Sequence, residues 1–151
     1  MNFEEHAAKP LLHAVGIATP QGALATTPAE AGQIAGKVGP CVLKAQVPSG
    51  KRGKAGGIKL AADATEAQSA ASAILGMSIA GHLVEKVLVE TQVAIAHELY
   101  AAVLNDPASK GPLLLFSARG GMDIEEIATA HPGELVRLPI DICKGLDVLQ
   151  L

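Results

Sequence analysis

Large aromatic side chains are nearly absent from this chain of 151 residues. Phe, Trp and Tyr together make up 2% and Trp does not occur, although 49% of the residues are hydrophobic. The interior must therefore be built from Ala, Val, Leu and Ile, which provide fewer large contacts than aromatic rings do. With 18% charged residues, the composition is that of a globular protein and excludes an intrinsically disordered one.

Cysteine is scarce, and neither cysteine nor histidine is spaced for metal binding or nucleophilic catalysis. The two cysteines, Cys41 and Cys143, are far apart and follow no metal-ligand spacing. Both lie in apolar stretches, which predicts small core residues rather than a disulfide. The five histidines are scattered, with no partner at the spacing of a metal site or a triad. The sequence therefore assigns no catalytic residue and no metal ligand.

Long apolar runs and a strong net charge are missing as well. No apolar run approaches the roughly 20 residues that a membrane-spanning helix needs. The opening segment is acidic and has no apolar signal core, which predicts a cytoplasmic protein with no membrane partner. A formal net charge of −3 gives no electrostatic basis for non-specific nucleic-acid binding.

Helical and strand patterns alternate along the chain. Apolar spacing predicts a helix over residues 4–15, and the capping sequences T-P-A-E and D-A-T-E start two more, which end near Lys37 and Gly76. A short acidic helix is predicted to begin at Asp123. Strands are predicted over residues 41–47, 58–61, 83–90, 98–104, 113–117 and 136–140. Because hairpins connect several strands, the pattern favours an α+β fold over a doubly wound sheet.

The candidate chemistry concentrates in the stretch V-L-K-A-Q-V-P-S-G-K-R-G-K-A-G-G-I-K, residues 42–59. Its glycines allow backbone N–H groups to approach an anion closely, and its basic side chains add positive charge. It is not a Walker P-loop, because the loop joins two predicted strands and no Gly-Lys-Ser/Thr opens a helix. The residues alone leave a phosphate-binding loop and a solvated basic hairpin equally open. RNA binding is the weaker interpretation, since aromatic stacking residues are missing.

Several stretches, in order and spacing, resemble the N-terminal part of the β subunit of succinyl-CoA synthetase, an ATP-grasp enzyme. They are M-N-F-E-E-H-A-A-K-P-L-L, A-T-T-P-A-E-A, V-L-K-A-Q-V, R-G-K-A-G-G-I-K, L-G-M, K-V-L-V-E, I-A-H-E-L-Y and G-G-M-D-I-E-E-I-A. The resemblance runs from residue 1 to about residue 147. It implies an ATP-grasp fold, the small lobe with part of the second lobe. Residues 21–90 would form one lobe, and residues 1–20 with 91–151 the other, with the C-terminal CoA-ligase domain of the family absent.

The resemblance also implies which residues bind the phosphates of a nucleotide. Lys44 matches the lysine that contacts the phosphates in the family, a role that suits a cation on a strand beside a glycine loop. Lys51, Arg52 and Gly53 match the loop that folds over the phosphates. The family often has glycine where this chain has Lys51.

Four further residues match positions near the base and the ribose. Glu90 matches the hinge that receives the adenine, and Val93 falls where a backbone group of that hinge meets the base. Glu98 matches the acid that accepts hydrogen bonds from the ribose hydroxyls, as a carboxylate can. Pro20 matches a position near the base and resembles the members that use ATP rather than GTP.

The reaction implied by the resemblance converts succinate, CoA and ATP into succinyl-CoA, ADP and phosphate. Its partners would be an α subunit, which carries a phosphohistidine and the CoA site, and the remaining part of the β subunit, which carries the ligands for Mg²⁺. This chain alone is expected to be inactive. Two alternatives stay open: a non-catalytic ATP-grasp-like scaffold module, and a malate–CoA ligase, since some malate-using relatives carry arginine at the position of Arg119.

Overall fold

The computed structural model describes residues 3–121, 128–129 and 131–146. The chain divides into two compact units, Met1–Val93 and Ala94–Leu151. Residues 1–20 thus belong to the same compact unit as residues 21–93. The assignment of residues 1–20 and 91–151 to one lobe stays a prediction. Within the described residues, no helix is long and apolar enough to cross a membrane.

Three α-helices lie in the first unit: α1 (Glu5–Ala14), α2 (Pro28–Val38) and α3 (Ala64–Ile74). The two capping sequences act as predicted. The Thr27 side chain accepts a hydrogen bond from the N–H of Glu30 at 3.2 Å, and the Asp63 carboxylate accepts two from the first turn of α3. Each cap satisfies N–H groups that have no partner within the helix, which fixes where the helix begins.

Six strands complete the first unit: β1 (Gly22–Ala25), β2 (Cys41–Ala45), β3 (Ile58–Ala61), β4 (Ser78–Ile79), β5 (His82–Leu83) and β6 (Val87–Thr91). Four of them form an antiparallel sheet in the order β1-β6-β2-β3, and β4 pairs with β5. The glycine-rich loop, residues 46–57, joins the neighbouring strands β2 and β3.

The two faces of the four-stranded sheet have different surroundings. Leu43 pairs with Val89 in the register, and both are fully buried in a core with α2 and α3. That core is rich in small residues, among them Ala31, Ala35, Ala67, Ala70 and Ala71. Side chains alternate along a strand, so Lys44 and Glu90 project from the opposite face. The sheet thus separates an apolar core from a charged face.

The described residues of the second unit form three strands: β7 (Tyr100–Asp106), β8 (Gly111–Ser117) and β9 (Val136–Pro139). They form an antiparallel sheet in the order β7-β8-β9, and a short 3-10 turn, Pro132–Glu134, precedes β9. Alternate residues of β8 are buried, namely Leu113, Leu115 and Ser117, as expected for a strand that packs on one face.

The α+β prediction is confirmed, while some local predictions are wrong. The single strand predicted over residues 83–90 is two strands, β5 and β6, separated by three residues. Strand β1 was not predicted, because G-A-L-A has no β-branched or aromatic residue. Cys41 is buried as expected, but Cys143 is exposed. The helix predicted to begin at Asp123 lies outside the described residues.

Candidate functional site

A buried carboxylate lies at the centre of the charged face. Glu90, on β6, is 2% exposed and forms ion pairs with two ammonium groups, those of Lys9 on α1 and Lys44 on β2. The Lys44 Nζ lies 2.5 Å from Glu90 Oε1. A buried charge is costly unless it is paired and hydrogen-bonded, so the two lysines explain how Glu90 is accommodated.

A second carboxylate links the sheet to the glycine-rich loop. Glu5, at the start of α1, accepts hydrogen bonds from Lys44 Nζ at 2.9 Å and from Arg52 Nη2 at 2.8 Å. Arg52 Nη1 donates to the carbonyl oxygen of Ala45 at 2.9 Å. We call Glu5, Lys9, Lys44, Arg52 and Glu90 the charged cluster. Its three cations and two carboxylates leave one net positive charge, which is the requirement for binding an anion.

The environment keeps Glu5 and Lys44 in their charged forms. Burial raises the pKa of Glu5, but the hydrogen bonds and charges of Lys44 and Arg52 together lower it by more. The pKa of Glu5 therefore lies below its ordinary value. Burial lowers the pKa of Lys44, but hydrogen bonds to Glu90 and Glu5 raise it more, so the pKa lies above its ordinary value.

The glycine-rich loop turns part of its backbone onto itself. The N–H groups of Ala55, Gly56 and Gly57 donate to carbonyl oxygens of the same loop. Gly57 is also closely packed, since a Cβ there would lie 2.7 Å from Ile79 Cδ1. Lys51 is exposed and adopts a φ of 60°, a conformation that favours glycine. This agrees with the family's frequent glycine at that position.

Helix α1 is attached to the sheet by polar contacts. Besides the pairs of Glu5 and Lys9, the N–H of His6 donates to Gln46 Oε1 at 3.0 Å, and Lys86 pairs with Glu4 at 2.7 Å. Gln46 is 2% exposed, so its side chain is a fixed anchor. All ten residues of α1 are described, and none of them is buried. The helix is therefore held by charge and hydrogen bonds rather than by apolar burial.

Two cavities adjoin the charged cluster within the first unit. The larger, about 670 Å³, is lined by His6, Lys9, Pro10, His13, Thr19, Pro20, Gln21, Gly22, Ala23, Leu24 and Leu88. Lys9 Nζ donates to the carbonyl oxygen of Pro20 at 3.2 Å. A Cβ at Gly22 would lie 2.7 Å from the Glu90 Cβ, so glycine is needed there. The smaller, about 430 Å³, is lined by Phe3, Glu5, Val47, Pro48, Ser49, Gly50 and Arg52.

The structure brings together some of the predicted residues and not others. Lys44, Arg52 and Glu90 lie in the charged cluster, and Pro20 lines the larger cavity. Lys59, the last residue of the basic stretch 42–59, pairs in register with Leu43 and so lies on the opposite face of the sheet from Lys44.

Three other predicted residues lie away from the charged cluster or in the second unit. Gly53 is exposed within the loop, and Val93 ends the first unit with 54% exposure. Glu98 belongs to the second unit, where its carbonyl oxygen accepts a hydrogen bond from the N–H of Gly120 at 2.8 Å. The roles of these residues in nucleotide binding stay predictions.

Sequence reasoning missed Glu5, Lys9 and Gly22. Glu5 and Lys9 are four positions apart in the sequence, which places both on one face of α1. That spacing, within a stretch that also carries the family resemblance, was the available signal. The signal for Gly22 was weaker, because nothing in the sequence indicates that its neighbour across the sheet is Glu90.

The described residues contain no group of histidine, cysteine, aspartate or glutamate side chains that could hold a metal ion. The acidic residues of the charged cluster are bonded to lysine and arginine instead. The cluster therefore has the chemistry of an anion site.

A protein-family profile matches nearly the whole chain. The family profile described as the ATP-grasp domain matches residues 2–151. The chain belongs to the ATP-grasp family. This ATP-grasp chain is 49% identical over 147 residues to the β subunit of the ADP-forming succinate–CoA ligase of Rubrobacter xylanophilus, with 97% of this chain and 38% of that protein covered.

Another relative is named for a different nucleotide. The chain is 48% identical over 146 residues to the β subunit of the GDP-forming succinate–CoA ligase of Thermus thermophilus, with 96% of this chain and 39% of that protein covered. The chain thus spans about two fifths of the length of these curated relatives.

Solved structures share the ATP-grasp architecture. The dinucleotide-forming acetyl-coenzyme A synthetase 1 of Ca. Korarchaeum cryptofilum, in complex with coenzyme A, Ca-AMPCP and HgCl+, has a TM-score of 0.75 and 25% identity, covering 91% of this chain and 60% of that chain. ATP citrate lyase from Methanothrix soehngenii, in complex with citrate and coenzyme A, has a TM-score of 0.71 and 23% identity. This match covers 97% of this chain and 37% of that chain. The second likeness shows the fold alone. The predicted fold class is confirmed.

Proposed function

We propose that this ATP-grasp chain is the nucleotide-binding part of an acid–CoA ligase β subunit and holds ATP phosphates with Lys44, Arg52 and the glycine-rich loop. The observation that supports this most directly is the charged cluster, in which two cations from the β2 strand and the adjoining loop share one carboxylate. A lysine and a guanidinium side by side, with a net positive charge around them, are a suitable receptor for phosphate oxygens.

The larger cavity is the proposed binding place for the base of the nucleotide. Pro20, which the resemblance assigns to the base, lines this cavity together with Gly22, which packs against Glu90. Its mostly apolar lining suits a planar ring. Lys51, Gly53, Val93 and Glu98 enter the proposal through the family resemblance.

The proposed reaction of the complete enzyme joins succinate to CoA with cleavage of ATP to ADP and phosphate. The names of the relatives support succinate, and they include both ADP-forming and GDP-forming enzymes. An α subunit with the phosphohistidine and CoA site, and the rest of the β subunit, would supply the groups that act on succinate and CoA. The contribution of this chain is to neutralise charge on the phosphates and to fix their position.

Magnesium, expected as the partner of ATP, would neutralise phosphate charge when bound. As the family resemblance implies, we assign its ligands to the remainder of the β subunit. Malate stays an alternative substrate. Arg119, the residue that suggests it, forms an ion pair with Glu134, with 2.5 Å between Nε and Oε2.

Calorimetric titration of the chain with MgATP tests the nucleotide site. We expect measurable binding to the wild type and binding weaker by about tenfold or more for Lys44→Ala, since a hydrogen bond to a charged group contributes about 1.5–3 kcal/mol. Lys59→Ala is the matched control, because Lys59 lies on the other face of the sheet, and its affinity should equal that of the wild type. No heat with any of the three proteins would contradict the proposal and support the scaffold alternative.

A further inference from the structure

Glu5 contacts both cations to which the proposed function assigns the phosphates. Its Oε1 lies 2.9 Å from Lys44 Nζ, and its Oε2 lies 2.8 Å from Arg52 Nη2. One carboxylate therefore spans the two cations with its two oxygens, as a phosphate group with two free oxygens could.

We propose that Glu5 occupies the phosphate position in the nucleotide-free chain and that the nucleotide displaces it. This inference rests on the proposed function and assigns to Glu5 control over the affinity of that site. Carboxylate and phosphate oxygens are the same kind of acceptor for an ammonium or a guanidinium group, so the two compete for Lys44 and Arg52.

The rest of the charged cluster keeps its partners when Glu5 leaves. Lys44 retains Glu90 at 2.5 Å, and Arg52 retains the carbonyl oxygen of Ala45 at 2.9 Å. Glu90 also retains Lys9. Both cations would stay oriented by the sheet, which is the arrangement that a preorganised anion site needs.

There is also room for an anion beside Glu5 on the side of Arg52. The cavity of about 430 Å³ is lined by Glu5 and Arg52 together with Ser49 and Gly50 of the loop. The Glu5 side chain is 25% exposed, so a ligand can reach it from solvent.

The attachment of α1 permits the displacement. The helix buries none of its ten residues, all of which are described, and is held by polar contacts. Giving up Glu5 costs the helix one attachment, while His6 keeps its bond to Gln46 and Glu4 keeps its pair with Lys86.

Titration of Glu5→Gln with MgADP tests the inference. We expect Glu5→Gln to bind MgADP about tenfold more tightly than the wild type, because the amide does not carry the competing charge. Glu5→Ala should shift affinity in the same direction. Glu4→Gln is the matched control: Glu4 is the adjacent residue and also attaches α1, but it pairs with Lys86, so its affinity should not change.

Each other outcome contradicts a defined part of the reasoning. If the wild type binds MgADP, Lys44→Ala does not, and Glu5→Gln binds equally or more weakly, then Glu5 orients the cations, and the displacement is wrong while the proposed function stands. If Glu4→Gln tightens binding as much as Glu5→Gln does, release of α1 is the cause and the inference is overturned. If no variant binds MgADP, both the inference and the proposed function fail.

Discussion

Each residue of the charged cluster has two hydrogen-bond or ion-pair partners. This double pairing distinguishes the cluster from a solvated basic loop. Lys44 bonds to Glu5 and Glu90, and Arg52 bonds to Glu5 and to the backbone of Ala45. Exposed ion pairs contribute little on their own because solvent screens them. Here the side chains are 2–25% exposed, so the positions of the charges are fixed.

A backbone contact fixes the place of Glu98 in the second unit. Gly121 has a φ of +72°, and a Cβ there would overlap Glu98 Oε2. Gly121→Ala should therefore move the Glu98 carboxylate and lower the free energy of unfolding by about 1–3 kcal/mol. Urea unfolding followed by the fluorescence of Tyr100, on β7, measures this change.

Gly133→Ala is the control for this substitution. A Cβ added at Gly133 would meet no atom within 4 Å, and the residue has no positive φ, so the effect should stay within about 0.5 kcal/mol. Equal stability of the two variants would show that the contact with Glu98 is unimportant.

Two of the three cations of the site, Lys44 and Arg52, could be predicted from the sequence, whereas Lys9 and the pairing of the charges could not. Lys44 lies on β2 beside the glycine-rich loop, and Arg52 lies in it. The composition of this stretch left phosphate binding and a solvated hairpin equally open, and the family resemblance favoured phosphate binding. Glu5 lies 39 residues from Lys44 in the chain, and its contact depends on how α1 packs on the sheet. Local patterns do not encode that packing, so the charges were visible in the sequence and their pairing was not.

At the scale of helices and strands, signals confined to a few neighbouring residues were the reliable ones. Both capping sequences start helices at the predicted residues, because a cap acts over three or four residues. Strands depend on neighbours that are distant in sequence. β1 forms because it pairs with β6, about 65 residues later, although its own residues have little preference for a strand.

Removing the N-cap residue of α3 should lower the stability of the first unit. Asp63 accepts hydrogen bonds from the N–H groups of Thr65 and Glu66 at 2.8 and 2.9 Å. Asp63→Ala should lower the free energy of unfolding of the first unit by about 0.5–2 kcal/mol. Circular dichroism during urea unfolding gives the value. Asp63→Asn keeps an acceptor at the cap and should lose much less; an equal loss would mean that charge, rather than the cap, matters at this position.

At the scale of the whole molecule, the chain contains two units with separate sets of buried residues. The first is packed around Leu43, Val87 and Val89, and the second buries Leu113 and Leu115 of β8. The family resemblance predicted the ATP-grasp fold, whereas the boundary at Val93 required the structure. That boundary is set by packing, which composition does not mark, since the sequence there has no glycine- or proline-rich linker.

Because the buried residues of the two units form separate sets, a core substitution in the first unit should be detected mainly by probes of the first unit. Leu43 is fully buried, so Leu43→Ala should cost about 2–5 kcal/mol. We expect the unfolding midpoint from helical circular dichroism to fall, since α1, α2 and α3 all lie in the first unit, while the midpoint from Tyr100 fluorescence moves less.

Leu60→Ala, at a residue that is 64% exposed, provides the comparison and should leave both midpoints nearly unchanged. If Leu43→Ala shifts the two midpoints equally, the chain unfolds as one cooperative unit.

The pairing of Lys44 with two carboxylates also determines its chemical reactivity. Acylating reagents attack the neutral amine, and a raised pKa leaves little of it at neutral pH. Lys44 is therefore a poor nucleophile while Glu5 and Glu90 are its partners, whereas Lys51 and Lys59 are exposed to reagents in solvent. The carboxylates that hold Lys44 in place thus also shield it from covalent modification.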